Sequence, residues 1–88
     1  MIEFIWDESF KRKYKKLTHY DSNFKSIFWK KFKKFSENPN APTFKTHKLS
    51  GKLSNCYSAT FEYDCRIIFQ YIDSNTILLI DIGSHDEV

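Results

Sequence analysis

Three runs in the C-terminal half alternate their side chains with a period of two, and this restricts the chain to a sheet-based fold. Tyr57, Ala59, Phe61 and Tyr63 alternate with Cys56, Ser58, Thr60 and Glu62. In the second run Ile67, Phe69 and Tyr71 oppose Arg66, Ile68 and Gln70. In the third, Leu78, Ile80 and Ile82 oppose Ile77, Leu79 and Asp81. Successive side chains of a strand point to opposite faces, so each run reads as one strand. Hairpin joints are expected near Asp64 and at Asp73-Ser74-Asn75. The last two runs are apolar on both sides, as when helices cover one face and the other is partly enclosed.

The N-terminal half follows a different period. Ile2, Phe4 and Trp6 suggest a short opening strand, and Asp7 can cap a helix after it. Phe10, Tyr14 and Leu17 then fall at i, i+4 and i+7, with Lys11, Arg12, Lys15 and Lys16 around the other side. Thr18-His19-Tyr20 interrupts the pattern, placing His19 in a connection, and Asp21 or Ser22 can cap a second helix. Phe24, Ile27, Phe28, Phe32 and Phe35 cover roughly 140° of that second wheel. Lys31 falls inside the stripe and must snorkel. Trp29 falls outside it, either covering the neighbouring helix or awaiting a partner. Pro39 and Pro42 force a loop after the second helix. The expectation is an α+β fold: two N-terminal helices packed on one face of a small, mainly antiparallel sheet.

The length of 88 residues suits a single domain spanning 1–88. With an aromatic share of 18%, the core should be built on rings. No apolar run approaches a membrane span, and the N-terminus lacks the basic head and cleavage region of a signal peptide, so a cytoplasmic protein is expected. Cys56 and Cys65 allow a disulfide or a redox pair, but without secretion signals or a metal-ligand spacing two reduced structural cysteines are favoured. Residues 1–38 hold ten basic and five acidic side chains, a balance of +5, while residues 39–88 carry −2. A basic N-terminal half fits either a polyanionic or acidic partner or a solvated lysine face.

Strand parity locates a candidate site. If the purely apolar rows pack on the helices, Arg66, Gln70 and Asp81 share the open face. Extension through Gly83 would place His85 on the side of Asp81. No phosphate loop, zinc spacing, nucleophile elbow or dinucleotide fingerprint is present, so neither a cofactor nor a metal is expected. His47 opens a polar, basic segment that composition alone reads as a loop, and His85 precedes two acidic residues like many charged tails. Together with Arg66 they have chemical sense. Cleaving RNA without metal needs a base for the 2′-hydroxyl proton, a cation for the phosphorane charge and an acid for the leaving oxygen. Histidine serves either proton-transfer role, and arginine grips phosphate oxygens through paired hydrogen bonds. Asp64 or Asp81 could orient one of these groups, and Lys45, Lys48 and Lys52 offer a basic approach for the backbone.

The segments His47-Lys48-Leu49-Ser50-Gly51, Tyr63-Asp64-Cys65-Arg66-Ile67-Ile68-Phe69 and Asp81-Ile82-Gly83-Ser84-His85-Asp86-Glu87-Val88 resemble the RelE/ParE superfamily of type II toxins. The similarity is greatest to its RelE/YafQ/HigB-like mRNA interferase branch. It implies a RelE-like microbial RNase fold, an endoribonuclease that cleaves mRNA on the ribosome, and a cognate antitoxin that blocks it. It also implies basic helices and loops that approach ribosomal RNA, with the messenger on the open sheet face. By the same resemblance Arg66 stabilises the scissile phosphate, His85 acts in proton transfer, and Asp64 occupies an acidic position ahead of the strand. His47 matches the histidine before the Leu-x-Gly turn that is important in the YafQ-like branch. Cys65 replaces an aromatic residue common in that pattern, and Ser58 stands where the YafQ-like pattern has an acid. A ParE-like inhibitor of DNA gyrase without nuclease chemistry, or a non-catalytic remnant of the fold, are the rival readings.

Overall fold

The computed structural model describes residues 2–62, 64–84 and 88. The chain opens with strand β1, Glu3–Trp6, in which Phe4 and Trp6 turn toward the core while Ile5 points to the opposite side. Asp7 then caps helix α1, Glu8–Tyr20, its carboxylate accepting the Ser9 amide at 3.2 Å. The helix does not break at Thr18. The Thr18 hydroxyl donates to the Tyr14 carbonyl at 3.0 Å, and α1 continues for two more residues, placing His19 in its exposed last turn. Asp21 alone separates the helices: it ends α1 and, through Oδ1, accepts the Phe24 amide at 3.1 Å to start α2, Ser22–Glu37.

On α2 the phenylalanine stripe faces the sheet, with Phe28 and Phe35 buried. Lys31 is half-buried within it, as a snorkelling stem would be. Trp29 does not wait for a partner to make its contacts. Its indole N–H donates to the Tyr14 hydroxyl at 2.6 Å, and its ring stacks over Trp6 at 6.0 Å between centroids. It therefore covers the groove between α1, α2 and β1, although 45% of its surface stays exposed.

After a short 3-10 turn at Pro42–Phe44 come β2, His47–Lys48, and a second 3-10 turn at Gly51–Leu53. Strands β3, Tyr57–Glu62, β4, Cys65–Asp73, and β5, Thr76–Gly83, complete the fold. The sheet order is β1-β5-β4-β3-β2. β1 runs parallel to β5 and every other neighbouring pair is antiparallel. The first strand thus finds its place beside the last one, a pairing no local pattern encodes.

One bulge corrects the expected parity. Ile68 pairs with Asp81 and Phe69 with Leu79, so Ile80 is an extra residue on β5. Ahead of the bulge Ile77 and Leu79 face the helices; beyond it Ile82 does. The expected row of Leu78, Ile80 and Ile82 holds only at Ile82. A second offset makes Ile72 the extra residue on β4, between the Tyr71–Ile77 and Asp73–Thr76 pairs.

The core is built on rings, as composition suggested. Phe35 is fully buried and lies 5.2 to 6.3 Å from Phe4, Phe32, Phe44, Phe61 and Phe69. Truncating such a ring to alanine costs about 3–5 kcal/mol, a large part of the roughly 5–15 kcal/mol that holds a domain together. Cys56 and Cys65 are both buried thiols, at opposite ends of the β3–β4 hairpin. Among the described residues no helix is long and apolar enough to cross a membrane.

Candidate functional site

Directly opposed residues share a face of the sheet, so the register defines the side away from the helices. One row runs His47, Ser58, Ile68, Asp81 across β2 to β5. The neighbouring row runs Thr60, Arg66, Gly83. Gln70 lies farther along the same side of β4, opposite Leu78. Ser58 and Ile68, at 2% and 4% exposure, are buried there without belonging to the helix-side cluster. They make a closed floor between His47 on one side and Arg66 on the other.

His47 is positioned by the backbone before it. Lys45 adopts left-handed geometry, φ 48° and ψ 40°, as the chain leaves the 3-10 turn, and its amide donates to the Pro42 carbonyl at 3.2 Å. The Thr46 hydroxyl donates to the Pro39 carbonyl at 2.6 Å and anchors the start of β2. The exposed His47 ring then meets the Lys45 carbonyl oxygen, 3.0 Å from Nδ1. A carbonyl only accepts, so this bond assigns the proton to Nδ1 and leaves Nε2 as the basic nitrogen of the neutral ring.

Arg66 is half-buried in β4. Its backbone and that of His47 are two strand spacings apart, about 10 Å, with one same-face step of about 7 Å between their rows. A phosphodiester lying over Ser58 would be within reach of both side chains. Asp64 is exposed in the turn just before β4, two residues ahead of Arg66. Asp81 is engaged elsewhere: Oδ1 lies 2.7 Å from the Lys13 ammonium on α1 and accepts the Ile82 amide at 2.9 Å. β5 ends at Gly83, opposite Arg66, and His85 two residues later lies outside the described residues.

Lys45, Lys48 and Lys52 are all exposed. Lys52 is carried by the 3-10 turn that Gly51 begins, where a φ of 73° calls for glycine. His47 and Lys48 are neighbours in β2 and so project to opposite faces. The three lysines thus flank the β2 edge of the sheet on both faces, a margin to which an anionic backbone would be drawn. Among the described residues no three His, Cys, Asp or Glu side chains converge as metal ligands would.

Cavities formed by the described residues flank this region. One, of about 300 Å³, lies where α1 meets α2 and the end of β5, lined by Leu17, Tyr20 and Ile82 with Lys13 and Lys16 at its rim. Another, of about 280 Å³, is lined by Lys48, Asn55, Tyr57, Gln70 and Tyr71. Sequence reading assigned no role to Asn55, Tyr57 or Tyr71. The two tyrosines looked like ordinary members of an apolar row, and nothing local shows that β3 begins only at Tyr57 while β4 runs on past it.

Solved structures share this architecture from end to end. A metal-bound toxin from Helicobacter pylori is 27% identical and superposes with a TM-score of 0.78 over 100% of this chain and 99% of its own. YafQ from Escherichia coli strain BL21(DE3) is 18% identical, with a TM-score of 0.69 over 98% and 96% of the two chains. The heterotetrameric YoeB–YefM toxin–antitoxin complex from Staphylococcus aureus contains a chain 19% identical, with a TM-score of 0.74 over 97% and 98%. No curated protein sequence matches the chain. The family profile described as the bacterial toxin of type II toxin–antitoxin system, YafQ, matches residues 2–88. With that profile covering almost every residue and the fold in agreement, the chain belongs to the YafQ family of type II toxin–antitoxin toxins.

Proposed function

We propose that this toxin is a metal-independent endoribonuclease that cleaves mRNA on the ribosome and is held in check by a cognate antitoxin. The observation that carries the reading is the shared sheet face of His47 and Arg66, with the His47 Nδ1 committed to the Lys45 carbonyl. His47 Nε2 is available to take or give a proton, and the Arg66 guanidinium offers two parallel donors to a phosphorane. Asp64 and His85 complete the proposed catalytic set, while Lys45, Lys48 and Lys52 bind the RNA backbone. The YoeB relative crystallised with its antitoxin supports the expectation of a corresponding partner here.

The deciding experiment maps transcript 5′ ends after brief induction. New ends at defined codon positions that vanish in a folded Arg66→Ala or His85→Ala variant are expected. Full toxicity in both folded variants would remove this site. Replication stopping before translation, with transcripts intact, would favour a ParE-like gyrase inhibitor. Cleavage should also persist with a chelator selective for transition metals over magnesium, which leaves ribosomes assembled; loss of cleavage there would end the metal-independent reading.

A further inference from the structure

We propose that the cavity of about 280 Å³ at the end of β2, β3 and β4 is a nucleobase subsite that sets the base preference of cleavage. The inference rests on the RNA-cleavage reading and adds a specificity site to it. Its origin lies in how β3 begins. The β3–β4 ladder stops at the Tyr57–Phe69 pair. Before Tyr57 the chain turns toward β2: the Leu49 amide donates to the Cys56 carbonyl at 2.9 Å, and the Cys56 amide to the Leu53 carbonyl at 2.8 Å. β4 runs on through Gln70 and Tyr71 without β3 beside it, and the notch becomes the cavity.

The lining suits a planar heterocycle. Tyr57 stacks on the wholly buried Phe69, 5.6 Å between centroids and 21° between planes, so its ring is held by the core. Tyr71 stands edge-on to both, at 5.4 and 5.6 Å. Both tyrosines are half-buried, giving rigid aromatic walls with little ordering cost on binding. Asn55 and Gln70 each bring a coplanar donor and acceptor, the arrangement that reads the edge of an unstacked base. Among the described residues Lys48 is the only charged one in the lining, and it fits the adjoining phosphate. The volume is near the lower end for small-ligand sites, roughly 300 Å³, enough for a base and too small for a folded peptide element.

Position ties the cavity to the proposed chemistry. Lys48 follows His47 directly, and Gln70 lies four residues along β4 from Arg66, about 13 Å in an extended strand. Gln70 lies on the His47–Arg66 side, whereas Lys48, Tyr57 and Tyr71 belong to the helix side. A single-stranded segment with one phosphate between His47 and Arg66 would therefore round the end of the sheet to place a nearby base in the notch.

The test uses the full chain and homopolymeric RNA trinucleotides carrying 2′-O-methyl groups, which remove the attacking hydroxyl. Side-chain amide signals of Asn55 and Gln70 and ring signals of Tyr57 and Tyr71 should shift, with an affinity that depends on the base. The Asn55→Ala/Gln70→Ala double variant, its fold verified by the remaining amide spectrum, should bind the preferred trinucleotide at least roughly tenfold more weakly. The same variant should cut transcripts with a flattened base preference. Shifts confined to His47 and Arg66, or unchanged affinity and preference in the double variant, would overturn the subsite. So would an acidic peptide moving the cavity signals where RNA does not. Base-dependent shifts in the cavity without transcript cleavage by the unaltered protein would uphold the subsite and overturn the nuclease reading instead.

Discussion

The Nδ1 of His47 lies 3.0 Å from the carbonyl oxygen of Lys45, and this contact exists because Lys45 is left-handed. A left-handed non-glycine residue carries about 1–2 kcal/mol of strain. Lys45→Gly should therefore keep the turn and match or exceed the natural stability, by up to about 1 kcal/mol, since glycine removes the strain but enlarges the unfolded ensemble. Lys45→Val should lose at least about 1 kcal/mol, because a branched Cβ is worse at positive φ. Urea unfolding compares them; equal losses in both variants would show that the backbone geometry is not what Lys45 contributes.

Arg66 separates charge from geometry in the proposed chemistry. Arg66→Lys retains the positive charge but removes the two-pronged donor set, and the half-buried site leaves a lysine poorly placed to replace it. Ribosome-bound cleavage under single-turnover conditions should fall by about 10²–10³ in Arg66→Ala, and by at least tenfold in Arg66→Lys. Lysine at full rate would mean that only a diffuse positive field is needed.

The ion pair between Lys13 and Asp81 is a brace between α1 and β5, and the two half-exposed partners limit its strength. A double-mutant cycle should give a coupling of about 0.2–1 kcal/mol that declines with added salt. Asp81→Ala should cost more than Lys13→Ala, because Asp81 also accepts the Ile82 amide. Equal single-variant losses would remove the backbone contact from the explanation.

Most of the fold is legible where one face is buried and the other wet. The α2 stripe around Phe28 and Phe35, and the alternation from Tyr57 to Phe61, follow from burial periodicity and stand as expected. Reading failed where a contact distant in sequence decides the outcome. Asp7 and Asp21 announce themselves as caps, but α1 runs on to Tyr20 through Thr18-His19-Tyr20, a stretch with no apolar period to mark it as helix. The bulge at Ile80 reverses a row whose members are all apolar, so hydrophobicity could not register the slip. Of the site, parity brought Arg66 and Gln70 to one face, whereas His47 joined them only through the motif resemblance, because a two-residue strand has no period to read. Asp81 shares their register, yet Lys13 claims its carboxylate from a helix 68 residues earlier.

Asp7 gives the fold an acid-sensitive joint at the start of α1. The Ser9 hydroxyl at 2.7 Å, then the Ser9 amide and the nearby Arg12 charge, hold its carboxyl below the ordinary aspartate value. A carboxyl whose folded value is depressed adds stability that is fully present above the unfolded value, about 3.9, and is lost as pH falls through the folded one. The Ser9 hydroxyl also lies 2.9 Å from the Ile80 carbonyl, and its single proton serves one acceptor at a time. Protonating Asp7 therefore weakens the cap and turns that hydroxyl toward β5. Asp7→Asn keeps a neutral acceptor at the cap but does not titrate. Its thermal midpoint should lie below that of the natural protein at pH 7, and the gap should close as pH drops below about 4. A gap of constant size down to about pH 2 would show that the ionised carboxylate contributes nothing beyond its shape.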